Sequence, residues 1–540
     1  MPKKAICKIT GEEFVLFDLE MEICERFGVP LPQISPTERF RSLMAFRNEW
    51  KLYRRKCDAT GEEMLSAYSP KSPYKVYKNQ IWWGDSWDAL EYGRDFDFSK
   101  PFFDQLQELQ LLVPREGTSI FNSENCDYNS HIRQSRNCYL NSLVAHCEDC
   151  YYSYWIVEDQ NVFDSMVTNG SQLCYYCRNV NKSYQCFFLE ESNNCSECYF
   201  CYQLQGCNHC IFSSNLANKS YYAFNKPCTR QEFEEIKNKY INGTFSSLEE
   251  GKKEYGKICQ TANHRALHSL NCENVSGDNL YNCRNCENCF EAFDSEHCVN
   301  CVSLGEATFA SNCYSAGWPN CPGPIYMALV SRGCQDIAFG NYNWFSSKIR
   351  YCENLNSCDS CFGCIGLRHK KYCIFNKQYS KEEYEKMVEK IIAHMKSAEE
   401  WGQFFPKSFS AFAYNETPAQ DFFPLTKEEA IKKGFKWLDE DVNLTKPQTI
   451  EKIPADIKKC ANCQKNYKII EPEIKFYKNM HLPIPQLCPS CRHKERFNKR
   501  NPFQLFQRKC DHCGSEISST YTKDRKEAVL CEKCYLENML

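Results

Sequence analysis

Apolar positions recur every twelve residues along much of the chain. From Cys138 the register passes through Cys150, Val162, Cys174, Cys186, Cys198, Cys210 and Tyr222, and the residues following each read YL, YY, FD, YY, FF, YF, IF and AF. Cys126 extends the series one step backwards, and a second series runs Cys289, Cys301, Cys313, Ile325, Ile337, Ile349, Cys361, Cys373 without an insertion. A finer regularity lies beneath. The twelve cysteines from Cys126 to Cys210 are separated by multiples of three, and of the fourteen from Cys272 to Cys373 only Cys272 and Cys321 leave the common phase. Another slot of the first series reads Val144, Ile156, Thr168, Val180, Ser192, Leu204, Leu216, mostly small or aliphatic. This pattern predicts a mainly β chain with two slim β-solenoid modules, each rung making one circuit and bonding to the rungs above and below. Twelve residues enclose only a narrow core, which small, readily buried cysteine suits. A 24-residue coil with two equivalent halves gives the same spacing.

The two series end alike, in YYAFNKPCTRQEFEEIKNKY (221–240) and KYCIFNKQYSKEEYEKMVEKI (371–391), with the FNK triplets 151 residues apart. Thr229-x-x-Glu232 and Ser380-x-x-Glu383 are capping-box patterns that open helices, placed to cover the exposed edge of each last rung. Residues 397–440 read as an aromatic strap, with a short helix opening at Thr426-x-x-Glu429. The expected organisation is a degenerate, metal-free copy of a tandem ribbon domain at 1–118, a first β-solenoid module at 119–228 and a helical cap and linker at 229–264. A second module follows at 265–378, then a cap and strap at 379–450 and tandem zinc ribbons at 451–540.

Composition narrows the chemistry. Lys and Arg number 66 against 69 Asp and Glu, so no global field favours nucleic acid or a membrane. The start has no apolar stretch followed by a cleavage site, and nothing approaches a membrane span, which points to a cytoplasmic protein with reduced thiols. The 39 cysteines are therefore read first as core packing. The runs Cys195-Cys198-Cys201, Cys283-Cys286-Cys289 and Cys358-Cys361-Cys364 fall on the rung phase, which sets packing ahead of metal sites or disulfide ladders. No catalytic motif stands out.

The strongest chemistry is at the C-terminus. Cys460-x2-Cys463 with Cys488-x2-Cys491, and Cys510-x2-Cys513 with Cys531-x2-Cys534, are paired knuckles that suit two structural zinc ions. Residues 458–495, with C-x2-C-x3-Y, Glu473, Phe476-Tyr477, Pro485 and LCPSCR, resemble the probable zinc-ribbon domain family. More broadly, the rungs, the FFP…AYNET…FPLTKEEA strap and the ribbons are similar to uncharacterised Cys-rich zinc-ribbon proteins of Patescibacteria-type bacteria, a resemblance that implies no activity. Adding 453 to the numbers of the N-terminal copy aligns the two chain ends without a gap: Cys7 falls on Cys460, Glu20 on Glu473 and Cys57 on Cys510. The remaining ligand positions read Thr10, Ser35, Glu38, Thr60, Lys78 and Ile81, so this copy is expected to hold no zinc.

Between the two C-terminal ribbons lies a basic, aromatic linker. Arg492, Lys494, Arg496, Lys499, Arg500, Phe503, Arg508 and Lys509 are its candidate contacts to RNA or DNA, since cations neutralise phosphates and rings stack on bases. The competing reading is an amphipathic linker. The sequence points first to a non-enzymatic scaffold for a protein partner, with ribbon domains as recognition heads. The alternatives are a nucleic-acid-binding protein and a thiol-redox or iron–sulfur protein using the rung cysteines. Oligomeric state is not encoded in any of these features.

Overall fold

The computed structural model describes residues 3–302, 307–311, 313, 321–326, 329–439 and 457–539, with backbone alone at 307–311, 321–326 and 329–332. The domain boundary expected at 450/451 lies outside the described residues. The chain is mainly β, with two large sheets, of twelve and eleven strands, that are parallel apart from a closing hairpin strand in each.

In the first module every rung pairs with the next in columns spaced three residues apart. Ile132 pairs with Val144, Arg136 with Glu148, Tyr139 with Tyr151 and Ser142 with Tyr154, so the partner is twelve residues on and not twenty-four. Between columns the chain turns at a residue of positive φ. From Gln134 to Phe224 nearly every third residue has φ between about +46° and +62°, among them Asn137, Asn161, Asn179 and Asn218. Asparagine tolerates this region better than other side chains. Each three-residue side therefore offers one residue to the interior, one to the outside and one to the corner.

The interior position explains the cysteines. Its backbone N–H points into the core, and in two long columns a side chain one rung back accepts it. Along one column the bonds run Ser135 N to Ser123 Oγ (3.2 Å), Cys147 N to Ser135 Oγ (3.1 Å), Asp159 N to Cys147 Sγ (3.4 Å) and Ser171 N to Asp159 Oδ1 (2.7 Å). Ser183 and Cys195 continue it. A second column links Asn129, Asn141, Ser153, Ser165 and Cys177 in the same way. The thiols also donate: Cys186 Sγ to the carbonyls of Tyr184 (3.3 Å) and Cys195 (3.7 Å), a geometry repeated at most rung cysteines. Cysteine and serine thus fill a narrow bore and satisfy its polar backbone together.

The second module departs from the expected unbroken register in two places. Its first rung is eleven residues long, Val275 pairing with Cys286, and a bulge at Gly277 (φ 135°) restores the twelve-residue step. That is why Cys272 sits off phase. Further on, Ala310 pairs with Ile325, fifteen residues later. The column Ile325, Ile337, Ile349, Cys361, Cys373 consequently stands on Cys298 and Ala310, not on Cys301 and Cys313 as the sequence series implied. The insertion adds three residues and so preserves the interior phase.

A short antiparallel hairpin follows each last rung, and capping boxes at Thr229 and Ser380 open the helices Arg230–Tyr240 and Lys381–Ser397, with Phe233 and Ile391 buried. Within residues 397–439 Trp401 and Phe405 lie against Tyr351, and Thr426 caps the short helix Lys427–Lys432. Aromatic rings at the corners stack rung on rung, Phe188–Phe200–Phe212–Phe224 at 4.9 to 5.1 Å. The helix Phe245–Thr261 covers part of that ladder, its Gly251 admitting the Phe200 ring where a Cβ would meet it at 2.8 Å.

The interior hydrogen bonds give a direct test. Ser165→Ala removes the acceptor for the buried Cys177 N–H and is expected to cost about 1–3 kcal/mol. Ser165→Cys keeps an acceptor, as Cys147 does, and is expected to cost well under half of that. Urea unfolding of the two variants checks both; equal losses would show that packing volume, not the hydrogen bond, sets the side-chain choice.

Candidate metal centres and the basic linker

Two quartets of thiols come together at the C-terminus, Cys460/Cys463/Cys488/Cys491 and Cys510/Cys513/Cys531/Cys534, with the sulfurs of each quartet within 4.8 Å of one another. Each is built the same way. A hairpin, Ile457–Lys459 with Asn466–Lys468 or Phe506–Lys509 with Glu516–Ser519, turns through the first Cys-x2-Cys. The second pair sits at the start of a helix, Cys488 before Pro489–Phe497 and Cys531 before Glu532–Glu537. The Cys488 N–H donates to Cys460 Sγ and the Cys531 N–H to Cys510 Sγ, both at 3.3 Å. Burial alone would raise the Cys460 thiol, but N–H groups from Cys463, Cys488 and Asn462 bring it down to about 6. The Ser515 hydroxyl does most to bring Cys513 down to about 6. Thiolates are the ligating form, so these two sulfurs are prepared for a cation, while burial, with the neighbouring thiols adding to it, pushes Cys488 and Cys534 up to about 12. Sulfur separations of 3.7 Å (Cys463–Cys488) and 3.8 Å (Cys513–Cys531) match the roughly 3.8 Å edge of a tetrahedron with bonds near 2.3 Å. The residues fit a metal ion in each quartet.

The N-terminal segment repeats this frame element by element. Glu13–Leu16, Asp18–Phe27, Pro36–Met44, Tyr53–Lys56 and Glu63–Ser66 fall, after adding 453, on elements of the C-terminal unit. The sulfur contacts survive too: Ser35 N donates to Cys7 Sγ and Lys78 N to Cys57 Sγ, each at 3.3 Å. Where the C-terminal copy has Cys531 and Ser515, this copy has an ion pair between Lys78 and Glu62. Arg55–Asp58 and Arg508–Asp511 bond identically in the two copies, at 2.8 Å.

The linker between the quartets faces inward. Arg492 and Arg496 are 2% and 1% exposed, and both bind Asp164 of the first module at 2.9 Å. Arg496 also donates to the Tyr152 carbonyl, while Glu473 takes the hydroxyls of Tyr152 (2.8 Å) and Tyr477 (2.9 Å). Phe476 stacks on Phe163 at 3.9 Å. Lys499 reaches Glu190 at 2.6 Å, and Arg500 pairs with Glu291 of the second module. Phe503 is buried beside Phe290 and Phe422. Of the eight residues expected to meet nucleic acid, Arg492, Arg496, Arg500, Arg508 and Phe503 are spent on internal contacts. Lys494, Lys499 and Lys509 remain exposed. The physical reason is Asp164: a carboxylate at a corner of the first module offers these arginines a buried partner. Only a pairing of distant residues could reveal it. The ribbon domains are likewise not free heads. Val529 pairs with His264, immediately before the second module, and Asn300 of the second module donates to Glu20 of the N-terminal unit at 3.5 Å.

The rung thiols are placed differently. Among the described residues, only the two terminal quartets bring three or more potential ligands within 4.8 Å, and the cysteines whose side chains are described form no disulfide. Burial holds the Cys147, Cys201 and Cys289 thiols above the usual range, whereas hydrogen bonds with neighbouring thiols bring Cys138 and Cys210 down to about 4. No family model matches this chain, and no curated protein matches it. The ribbon resemblance at 458–495 therefore stands on the quartet geometry alone. No helix among the described residues is long and apolar enough to cross a membrane.

Arg496→Met is expected to cost about 3–5 kcal/mol, because it strips Asp164 of one of two buried partners; the unfolding midpoint measures this, and a loss below about 1 kcal/mol would mean that solvent reaches Asp164. A second expectation concerns acid. Burial would raise the Glu190 carboxyl, but Lys499 and Arg178 outweigh it and bring it down to about 2. Its stabilisation is present above the ordinary carboxylate range and is lost as pH falls toward 2. The Lys499→Met variant should show a shallower acid limb in an unfolding titration than the parent.

Proposed function

We propose that this chain is a non-enzymatic, zinc-containing scaffold in which two β-solenoids of twelve-residue circuits are clamped by a ribbon-type unit at each end of the sequence. Support for the solenoid reading comes from the i to i+12 pairing on four sides and the corner at every third residue. Zinc is the ion whose bond length and tetrahedral preference fit four thiolates at these separations. Four sulfurs leave no coordination position for substrate, so both ions are structural. The N-terminal unit, with Cys7 and Cys57 alone of eight ligand positions and a Lys78–Glu62 pair in their place, carries none.

The observation that carries the scaffold reading is the bracket at Asp164. The metal-bearing unit docks on the first module through two buried arginines, strand-pairs with the start of the second through Val529, and ties Arg500 to Glu291 of the second. The metal sites thereby fix the two solenoids relative to each other. A protein partner suits the result better than a polyphosphate, because the linker arginines are internally paired and one face of the first module carries polar pairs between rungs. That face carries Arg136 bonded to Glu148 and Gln172 to Gln160. A reducing cytoplasm is the compartment in which the rung thiols keep their hydrogen bonds.

Native mass spectrometry of protein purified under reducing conditions tests the reading. Two zinc ions per chain are expected, one in Cys463→Ser, one in Cys513→Ser, and still two when Cys7 and Cys57 are both replaced by Ser. Iron, or ions beyond two that survive loss of both quartets, would overturn it in favour of a metal-bearing solenoid.

A further inference from the structure

A half-open cavity of about 560 Å³ lies where the first module, the helix Phe245–Thr261, the basic linker and the second ribbon meet. Its size falls within the range that small-molecule sites occupy, and junctions between units are where such sites concentrate. The floor is aromatic: Tyr176 and Phe188 from the module's corners, Tyr202 from its face, Tyr255 from the helix and Tyr521 from the ribbon. All five are buried. The cations of the mouth, Lys252, Lys499 and Arg525, are each ion-paired.

Two features of this cavity stand out. Tyr255 is 4% exposed, and its buried hydroxyl meets no nitrogen or oxygen partner, only the neighbouring Cys259 thiol. A thiol is a weak partner for a buried hydroxyl. The neighbouring tyrosines are satisfied, Tyr202 and Tyr521 both meeting His264 Nδ1 at 2.8 and 3.0 Å, and Tyr176 donating to Glu495 at 2.6 Å. The second feature is Gly256. It stands inside a 17-residue helix, where glycine is unfavourable relative to alanine. Gly251 on the same helix is required, since the Phe200 ring occupies the place of its Cβ; at Gly256 nothing lies within 4 Å of that place. Gly256 is itself exposed, so the helix leaves the cavity wall open to solvent there.

We propose that this cavity binds a small planar aromatic molecule bearing a hydrogen-bond acceptor, seated against the tyrosine and phenylalanine rings, with its acceptor taking the Tyr255 hydroxyl and its edge filling the space beside Gly256. The aromatic floor supplies stacking area, the weakly partnered Tyr255 hydroxyl fixes orientation, and the paired cations at the mouth keep the entrance polar.

The test uses the full-length, metal-loaded chain and 1-anilinonaphthalene-8-sulfonate, a planar aromatic probe with acceptor oxygens. Saturable binding at one site per chain is expected from its fluorescence. Gly256→Trp fills the cavity from a position where a side chain meets no neighbour, and should weaken binding at least tenfold. Tyr255→Phe should weaken it several-fold, and Gly256→Ala, which adds only a methyl group, should unfold no more easily than the parent and bind within about threefold of it. Native metal content and helical circular dichroism establish that each variant is folded. Unchanged affinity in folded Gly256→Trp, or no saturable site in the parent chain, would overturn the proposal. If Gly256→Trp fails to fold, Tyr255→Phe decides it: affinity equal to the parent would overturn the acceptor contact and with it the assignment.

Discussion

The structure depends on how an inward-pointing backbone N–H is satisfied among buried side chains. In an ordinary parallel sheet each N–H finds a carbonyl on the next strand. Where a side is only three residues long and ends in a left-handed corner, the N–H at the interior position points toward the axis instead. The protein's answer is a side chain from the rung before: Ser123 for Ser135, Ser135 for Cys147, Cys147 for Asp159. The residue must be small, must accept a hydrogen bond and must tolerate burial. Serine, asparagine and cysteine qualify, and cysteine adds a weak donor that returns to two carbonyls. The unusual cysteine content is thus a consequence of backbone geometry.

The chain ends show one frame held together in two ways. At the C-terminus the knuckle and the helix start are positioned to share a cation through four thiolates. At the N-terminus the same hairpins and helices stand with Lys78 bonded to Glu62, and Glu38, on the fourth ligand position of the first quartet, paired with Arg41 at 3.3 Å. An ion pair can do locally what a metal does, provided the rest of the frame is anchored. Here the anchor is packing on the modules: Glu20, bonded to Arg39 and near Asn300, occupies the place that Glu473, bonded to Arg492 and Tyr152, holds in the other copy.

The twelve-residue register, the capping boxes at Thr229, Ser380 and Thr426, the paired quartets and the 453-residue offset were all legible from residue spacing, because each is a local or strictly periodic signal. The alternation of interior, outside and corner was only half legible. Cysteines marked the interior, but the left-handed corners are occupied by residues as different as Asn161, Trp155 and Phe200, so no residue type announced them. The fifteen-residue step between Ala310 and Ile325 was hidden because it keeps the triplet phase. Least legible was the linker, whose arginines have the composition of a phosphate-binding surface and the position of a core. That difference is decided by Asp164, more than 300 residues away.

The three-residue side also sets the unit in which such a module can change length. An insertion of three lengthens a circuit by one side and leaves every later residue facing the way it did, as after Ala310. A change of one or two residues would exchange interior for corner in every rung downstream, placing polar corner side chains in the bore and cysteines in solvent. Among the described residues two places depart from this unit: the eleven-residue first rung, corrected within a few residues by a glycine in a conformation that other residues rarely adopt, and the fourteen-residue pairing of Ala307 with Cys321, which shifts to fifteen by Ala310. Gene-level length variation in this protein is therefore filtered first by arithmetic, and only afterwards by chemistry.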